Sequence, residues 1–155
     1  MAQIIHGERI GRTAAIKAGC AAIIFDETQD RILLTRREDN GRWCLPGGGL
    51  EPGEDVAEGC IREVWEETGL HVEIARLIGV YSSPHIVTEY RDGNRFQFVS
   101  FCFEAKVTGG HLELSNETTA FGYFCRDEIA KMDVMENHLP RIADAYMRAV
   151  EAFIR

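Results

Sequence analysis

The stretch from Gly47 to Leu70, GGGLEPGEDVAEGCIREVWEETGL, constrains this chain more than any other. Three glycines precede a segment of helix length, on which Glu63, Glu66 and Glu67 fall within two turns. A helix is expected from about Asp55 to Thr68. Asp55 with Glu58 three residues on makes a capping-box-like start, with Asp in place of Ser or Thr, and Gly69 fits a left-handed C-terminal cap. With Glu63 at zero on a helical wheel and about 100° per residue, Cys60, Val64, Ala57, Ile61 and Trp65 lie between about 60° and 200°, and the three glutamates between about 300° and 40°. One face is apolar and suits a core; the other is a carboxylate face. Like charges at these spacings repel and cost helix stability. A divalent cation would offset the repulsion, and clustered carboxylate oxygens suit Mg²⁺ or Mn²⁺. Gly59 lies on the carboxylate face and costs a helix interior roughly 1 kcal/mol against alanine; it either clears room for a ligand or is incidental.

At 155 residues the chain is expected to be a single domain over 1–155, with 1–14 as a candidate N-terminal arm. The net charge of −8 argues against a nucleic-acid partner. The five cysteines are odd in number and show no paired zinc spacing, so they read as reduced core residues of a cytoplasmic protein. No apolar run is long enough for a membrane span, and the first twelve residues lack the apolar core of a signal peptide.

Residues 2–12 fit a short strand, a helix turn or a flexible arm. AGCAAIIF (18–25) and RILLTRR (31–37), joined by the turn DETQD, read as a hairpin. HVEIARLIGVYSS reads as one or two strands and RFQFVSFCFEAKV (95–107) as a long one, with Gln97, Val99, Phe101, Phe103 and Ala105 on one face. FGYFC is a last short strand, RDEIAKM starts a short helix, and residues 140–154 read as a terminal helix with Pro140 near its first position. The resulting class is α/β, with a mixed sheet between helical layers.

Gly48, five residues, Glu54, seven residues and then REVWEETGL from Arg62 to Leu70 resemble the Nudix box position for position. The strand order around it is also similar to the Nudix α/β/α sandwich. The resemblance implies a hydrolase that cleaves the diphosphate linkage of a nucleoside diphosphate linked to some group X. It implies that Glu63, Glu66 and Glu67 hold Mg²⁺, or Mn²⁺, with the carbonyl of Gly47 as a further ligand, and that Arg62 and Glu54 orient the loop against the helix. The chemistry is coherent. A diphosphate resists attack because its oxygens are negative; metal ions neutralise that charge and acidify a bound water, and a nearby base then takes a proton.

Outside the box, Glu117 sits in a late loop from which members of the family often supply a further ligand or the general base; otherwise it is an ordinary loop acid. Arg36 and Arg37 end a strand near the loop, and alternation sends one inward toward a phosphate. Tyr81 is a candidate to stack on a base, with a core role as the alternative. Pro84, fifteen residues after Gly69, resembles the ADP-ribose pyrophosphatase subgroup. ADP-ribose is therefore one expected substrate. The alternatives are a MutT-like (d)NTP or damaged-nucleotide pyrophosphohydrolase, and a non-catalytic nucleotide-sensing module. The expected partner is a small-molecule nucleotide, with no nucleic acid and no membrane; a homodimer is a further expectation.

Overall fold

The computed structural model describes residues 3–155. In chain order it contains β1 (Gln3–His6), a 3₁₀ turn (Ile10–Thr13), β2 (Ala15–Ile23), β3 (Ile32–Arg37), β4 (Trp43–Cys44), α1 (Val56–Thr68), β5 (Leu70–Tyr81), β6 (Ile86–Glu89), β7 (Arg95–Gly110), β8 (Thr118–Phe124), α2 (Arg126–Ile129), α3 (Leu139–Met147) and β9 (Phe153–Ile154). The arm alternative gives way to the strand alternative: β1 pairs antiparallel with β6, and the Gly11 N–H donates to the Pro84 carbonyl. Met1 and Ala2, the start of the expected arm, lie outside the described residues.

β7 is the spine of the larger sheet. β2 runs parallel along one flank, from Ala15 opposite Phe96 to Ile23 opposite Glu104. The other flank takes β5 antiparallel, up to Tyr81 opposite Ser100, and then β6 beside Phe96. β4, β3 and β8 form a separate three-stranded antiparallel sheet. The expected β2–β3 hairpin therefore survives only at its tip, where Phe25 bridges Ile32 and the Leu33 N–H donates to the Ile24 carbonyl. Beyond the tip the strands join different sheets, because β2 is apolar on both faces and has to be covered on both.

Strand alternation divides the core. Cys20, Ala22, Ile24, Phe103 and Ala105 pack with Cys60 and Val64 of α1. Ala21, Ile23, Cys102 and Ile78 pack with Ile129, Ile142 and Ala145 of α2 and α3. The sheet thus lies between two helical layers. All five cysteines are free, and four are buried. Among the described residues, no helix is long and apolar enough to cross a membrane.

Two further expectations need correction. The terminal helix stops at Met147, where Arg148 takes a left-handed conformation (φ 52°). Phe153 and Ile154 then pair in parallel with Gly79 and Val80, so the chain end completes a sheet edge. On α1, Trp65 is 53% exposed while Glu67 is 7% exposed. The buried stripe runs through Cys60, Val64 and Glu67, so the helix is rotated from the position that its apolar residues alone indicate.

Candidate active site

Local chemistry sets α1 as expected. The Asp55 carboxylate accepts from the Ala57 and Glu58 N–H groups, the Glu58 carboxylate accepts from the Asp55 N–H, and Gly69 closes the helix at φ 74°. The glycine loop is laid along the free edge of β2. The Ala22 N–H donates to the Pro46 carbonyl (2.8 Å) and the Cys20 N–H to the Gly48 carbonyl (2.9 Å). Gly47 adopts φ 151°, and a Cβ there would lie 2.2 Å from the Cys20 carbonyl oxygen. A Cβ on Gly48 would lie within 2.6 Å of the Glu63 carboxyl carbon. Only glycines let the loop pass between β2 and the carboxylates. Gly59 has a packing role: a Cβ would meet Leu50 at 2.4 Å and Glu54 Oε1 at 2.7 Å, so the space there is already filled by the loop.

Arg62 joins loop and helix. Its guanidinium donates to both Glu54 oxygens (3.0 and 2.7 Å), to the Gly49 carbonyl (3.0 Å), to Glu63 (2.9 Å) and to Glu66 (3.1 Å). The fork holds the Glu54 carboxyl down to about 2.

Glu67 is handled differently. Its carboxylate accepts from the Gly47 N–H at 3.0 Å. Burial, with the negative charges of Glu63 and Glu117 adding to it, pushes its pKa up to about 8 against the pull of that N–H and of Arg37. Glu63 is also raised, first by burial and then by Glu66 and Glu117, against Arg62. Glu66 is more exposed. As placed, Glu63 and Glu66 both face Arg62, and among the described residues no three acidic, histidine or cysteine side chains converge on one point. The donor set nevertheless fits a hard divalent cation. It offers carboxylate oxygens whose ionised forms suffer from burial and mutual repulsion, which is the deficit a cation removes. Among the described residues, no N–H donates to the Gly47 carbonyl, which leaves that oxygen available to such an ion.

From its late loop, the Glu117 charge adds to the rise of both Glu63 and Glu67. Its loop is pinned rather than loose. The Glu117 carbonyl accepts from the Glu38 N–H (2.8 Å), Ser115 and Thr118 bond each other, and buried Thr118 donates to the Glu67 carbonyl. The Glu117 side chain is exposed.

Of the arginine pair, Arg37 lines the cavity beside Gly47–Gly49 and is forked onto Asp39 (2.8 and 2.9 Å), whereas Arg36 turns away and donates to the Gly41 carbonyl. Tyr81 is a core residue at a cavity wall, with its hydroxyl donating to Asp144 (2.8 Å). Pro84 lines neither the cavity beside the loop nor the one at Tyr81; it lies in the turn between β5 and β6.

Three residues escaped sequence reasoning. Lys17 of β2 lines the loop cavity, its ammonium 5.2 Å from the Phe96 ring centroid. Asn137 and Arg141 line the same cavity from the start of α3. A signal was present for Arg141: it falls on the buried helical stripe with Ile142 and Ala145, where a charged residue is out of place.

The profile described as NUDIX domain matches residues 16–145. A MutT-like protein of Streptomyces ambofaciens is 39% identical over 115 residues, covering 74% of this chain and 68% of the relative. An ADP-ribose pyrophosphatase of Methanocaldococcus jannaschii is 35% identical over 132 residues, covering 83% and 69%. The crystal structure of an ADP-ribose pyrophosphatase from Streptococcus suis superposes with a TM-score of 0.69 at 26% identity, over 90% of this chain and 97% of that one.

Proposed function

Since the chain belongs to the Nudix family of pyrophosphohydrolases, we propose that it hydrolyses the diphosphate linkage of a nucleoside diphosphate linked to X, with Mg²⁺ as the preferred cation and Mn²⁺ as a substitute. The observation that carries this reading is Glu67: a carboxylate 7% exposed, given one N–H donor and no arginine fork, beside two further acids. Glu63, Glu66, Glu67 and the Gly47 carbonyl would hold the cation. Bound there, it would neutralise diphosphate charge and acidify an attacking water. The chain supplies the rest. The glycine loop, fixed on β2, sets the edge along which the diphosphate lies. Lys17 and Arg37 receive its remaining charge from the cavity wall. Glu117 takes the proton from the attacking water on its carboxylate oxygen. Arg62 holds helix and loop in one register.

ADP-ribose is supported by the names of relatives, and a (d)NTP or damaged nucleotide by the MutT-like one. The intact carboxylate set favours catalysis over nucleotide sensing. A net charge of −8 disfavours nucleic acid or an anionic membrane surface as partner, and five free cysteines suit the cytoplasm. The test is product analysis, AMP and ribose 5-phosphate from ADP-ribose and a nucleoside monophosphate with pyrophosphate from each canonical (d)NTP and 8-oxo-dGTP, with Mg²⁺, Mn²⁺, Ca²⁺ or excess chelator. Turnover with Mg²⁺ and none in chelator is expected; full turnover in chelator would overturn the reading.

A further inference from the structure

Arg141 is 7% exposed, yet among the described residues it donates no hydrogen bond and forms no ion pair. Its Nε is buried without a partner. The acid nearest on its own helix, Asp144, is already occupied by Arg155 (3.0 and 2.8 Å) and by the Tyr81 hydroxyl (2.8 Å). The Tyr81 ring, 5.5 Å from the guanidinium carbon, offers only its π face. Leaving a guanidinium buried and unforked is costly, and side chains so placed are ordinarily paired. Four residues earlier, Asn137 has a buried Oδ1 that also lacks a donor. Arg141 thus holds a partnerless donor and Asn137 a partnerless acceptor, whereas the neighbouring Glu136 Oε2 has the Arg42 guanidinium at 2.7 Å.

Both residues line two neighbouring cavities of about 260 Å³ each. One reaches the Gly47–Gly49 loop with Lys17 and Arg37; the other is bounded by Ile86, Pro140 and Tyr81. Phe98 is common to both and adds an aromatic surface. The cations at the loop end suit phosphates. The end at Arg141 combines apolar and aromatic walls with polar ones, Glu136 and Arg155 among them, and suits a base, which has a flat face and a polar edge.

We propose that Arg141 and Asn137 read the base of the nucleotide, and that the base is a 6-oxopurine. The inference rests on the reading of the loop end as the phosphate end. Along its edge a guanine or hypoxanthine ring offers N7 as acceptor, O6 as acceptor and N1–H as donor. A guanidinium forks onto N7 and O6, the commonest arginine–base contact, and the Asn137 Oδ1 accepts from N1–H. Adenine offers N7 as acceptor, an N6 amino donor and N1 as acceptor. Its N7 still accepts from one arm of the Arg141 fork, but its N6 amino donor meets the other arm and its N1 acceptor meets the Asn137 Oδ1.

Calorimetric binding of GMP, IMP, AMP and ribose 5-phosphate to the full chain tests this without requiring hydrolysis, so it separates base reading from the catalytic assignment. GMP and IMP are expected to bind at least about tenfold more tightly than AMP, the scale of one bidentate base contact. Arg141→Met should abolish that preference, and Arg141→Lys should not restore it, since an ammonium cannot fork. Asn137→Ala should weaken GMP while leaving AMP nearly unchanged. Melting of the ligand-free protein separates recognition from a structural role: Arg141→Met should match or exceed the wild type, because it removes a buried unpaired charge. Equal affinity for AMP and GMP would overturn the proposal. So would ribose 5-phosphate binding as tightly as GMP in an Arg141-dependent way, which would make Arg141 an anion site. If Arg141→Met does not fold, the charge is structural and the assignment falls, unless Asn137→Ala separately selects against GMP and IMP.

Discussion

Glu67 on α1 and Asp144 on α3 are buried to a similar degree, 7% and 3% exposed, and titrate in opposite directions. Asp144 accepts a guanidinium fork from Arg155 and a hydroxyl from Tyr81, and these partners hold its carboxyl below the ordinary aspartate value. Glu67 has one backbone N–H and two negative neighbours, and is pushed up to about 8. The arginines around the loop are engaged elsewhere: Arg37 is forked onto Asp39, and Arg62 bonds Glu54, Glu63 and Glu66. The fold neutralises the buried acid that ties its C-terminal end together. It leaves uncompensated the one beside the glycine loop. A buried carboxylate without a counter-charge is a poor structural element and a good cation ligand, so the contrast sets a structural acid against a candidate cation ligand within one chain.

The largest effect should come from breaking the contrast on the Glu67 side. Glu67→Gln is expected to lower kcat with Mg²⁺ by at least about 100-fold, the scale of a lost metal or acid–base function. The same substitution removes an acid that must be either protonated on folding or buried ionised, so in chelator its Tm should equal or exceed that of the wild type. Near-wild-type turnover would place Glu67 with the structural acids.

Glu117 sharpens the comparison, because its charge is part of what raises Glu67. As the base, Glu117→Gln should lower kcat about tenfold or more with little change in KM or in Mg²⁺ affinity. A silent Glu117→Gln together with dead Glu63→Gln or Glu66→Gln would move the base onto α1. Steady-state kinetics and a Mg²⁺ titration distinguish these outcomes.

What could be read from the sequence follows from which forces are local. The caps of α1 and the Arg62–Glu54 contact between helix and loop are short-range chemistry, and each appears where expected. The phase of α1 is not local. Trp65 is apolar and exposed and Glu67 charged and buried because the loop packed on β2 decides which stripe of the helix faces inward. Likewise, β2 and β3 look like a hairpin until a distant strand, β7, claims β2. The terminal segment carries helical periodicity, but its last residues gain more by pairing with β5. Arg141 was legible only as an anomaly, a cation on an apolar stripe whose meaning depends on two cavities formed by residues far apart in sequence.

The smallest effect lies on the Asp144 side. Asp144→Asn keeps the shape and removes the charge-assisted fork from Arg155. Half-exposed Arg155 regains water, so the loss should be about 2 kcal/mol of stability, within the range for a hydrogen bond to a charged group. The pH dependence has a definite sign. The folded carboxyl titrates below its unfolded value of about 3.9, so above that value both states are ionised and the stabilisation is complete. As pH falls below about 3.9 the unfolded chain takes up a proton first, and the stabilisation shrinks until pH has passed through the lower, folded value. The Tm gap between wild type and Asp144→Asn should therefore be constant from neutral pH to about 5 and close progressively below 4. A gap that stays constant to the lowest accessible pH would mean that Asp144 acts through shape rather than charge. The opposition between the two buried acids would then reduce to a difference in packing.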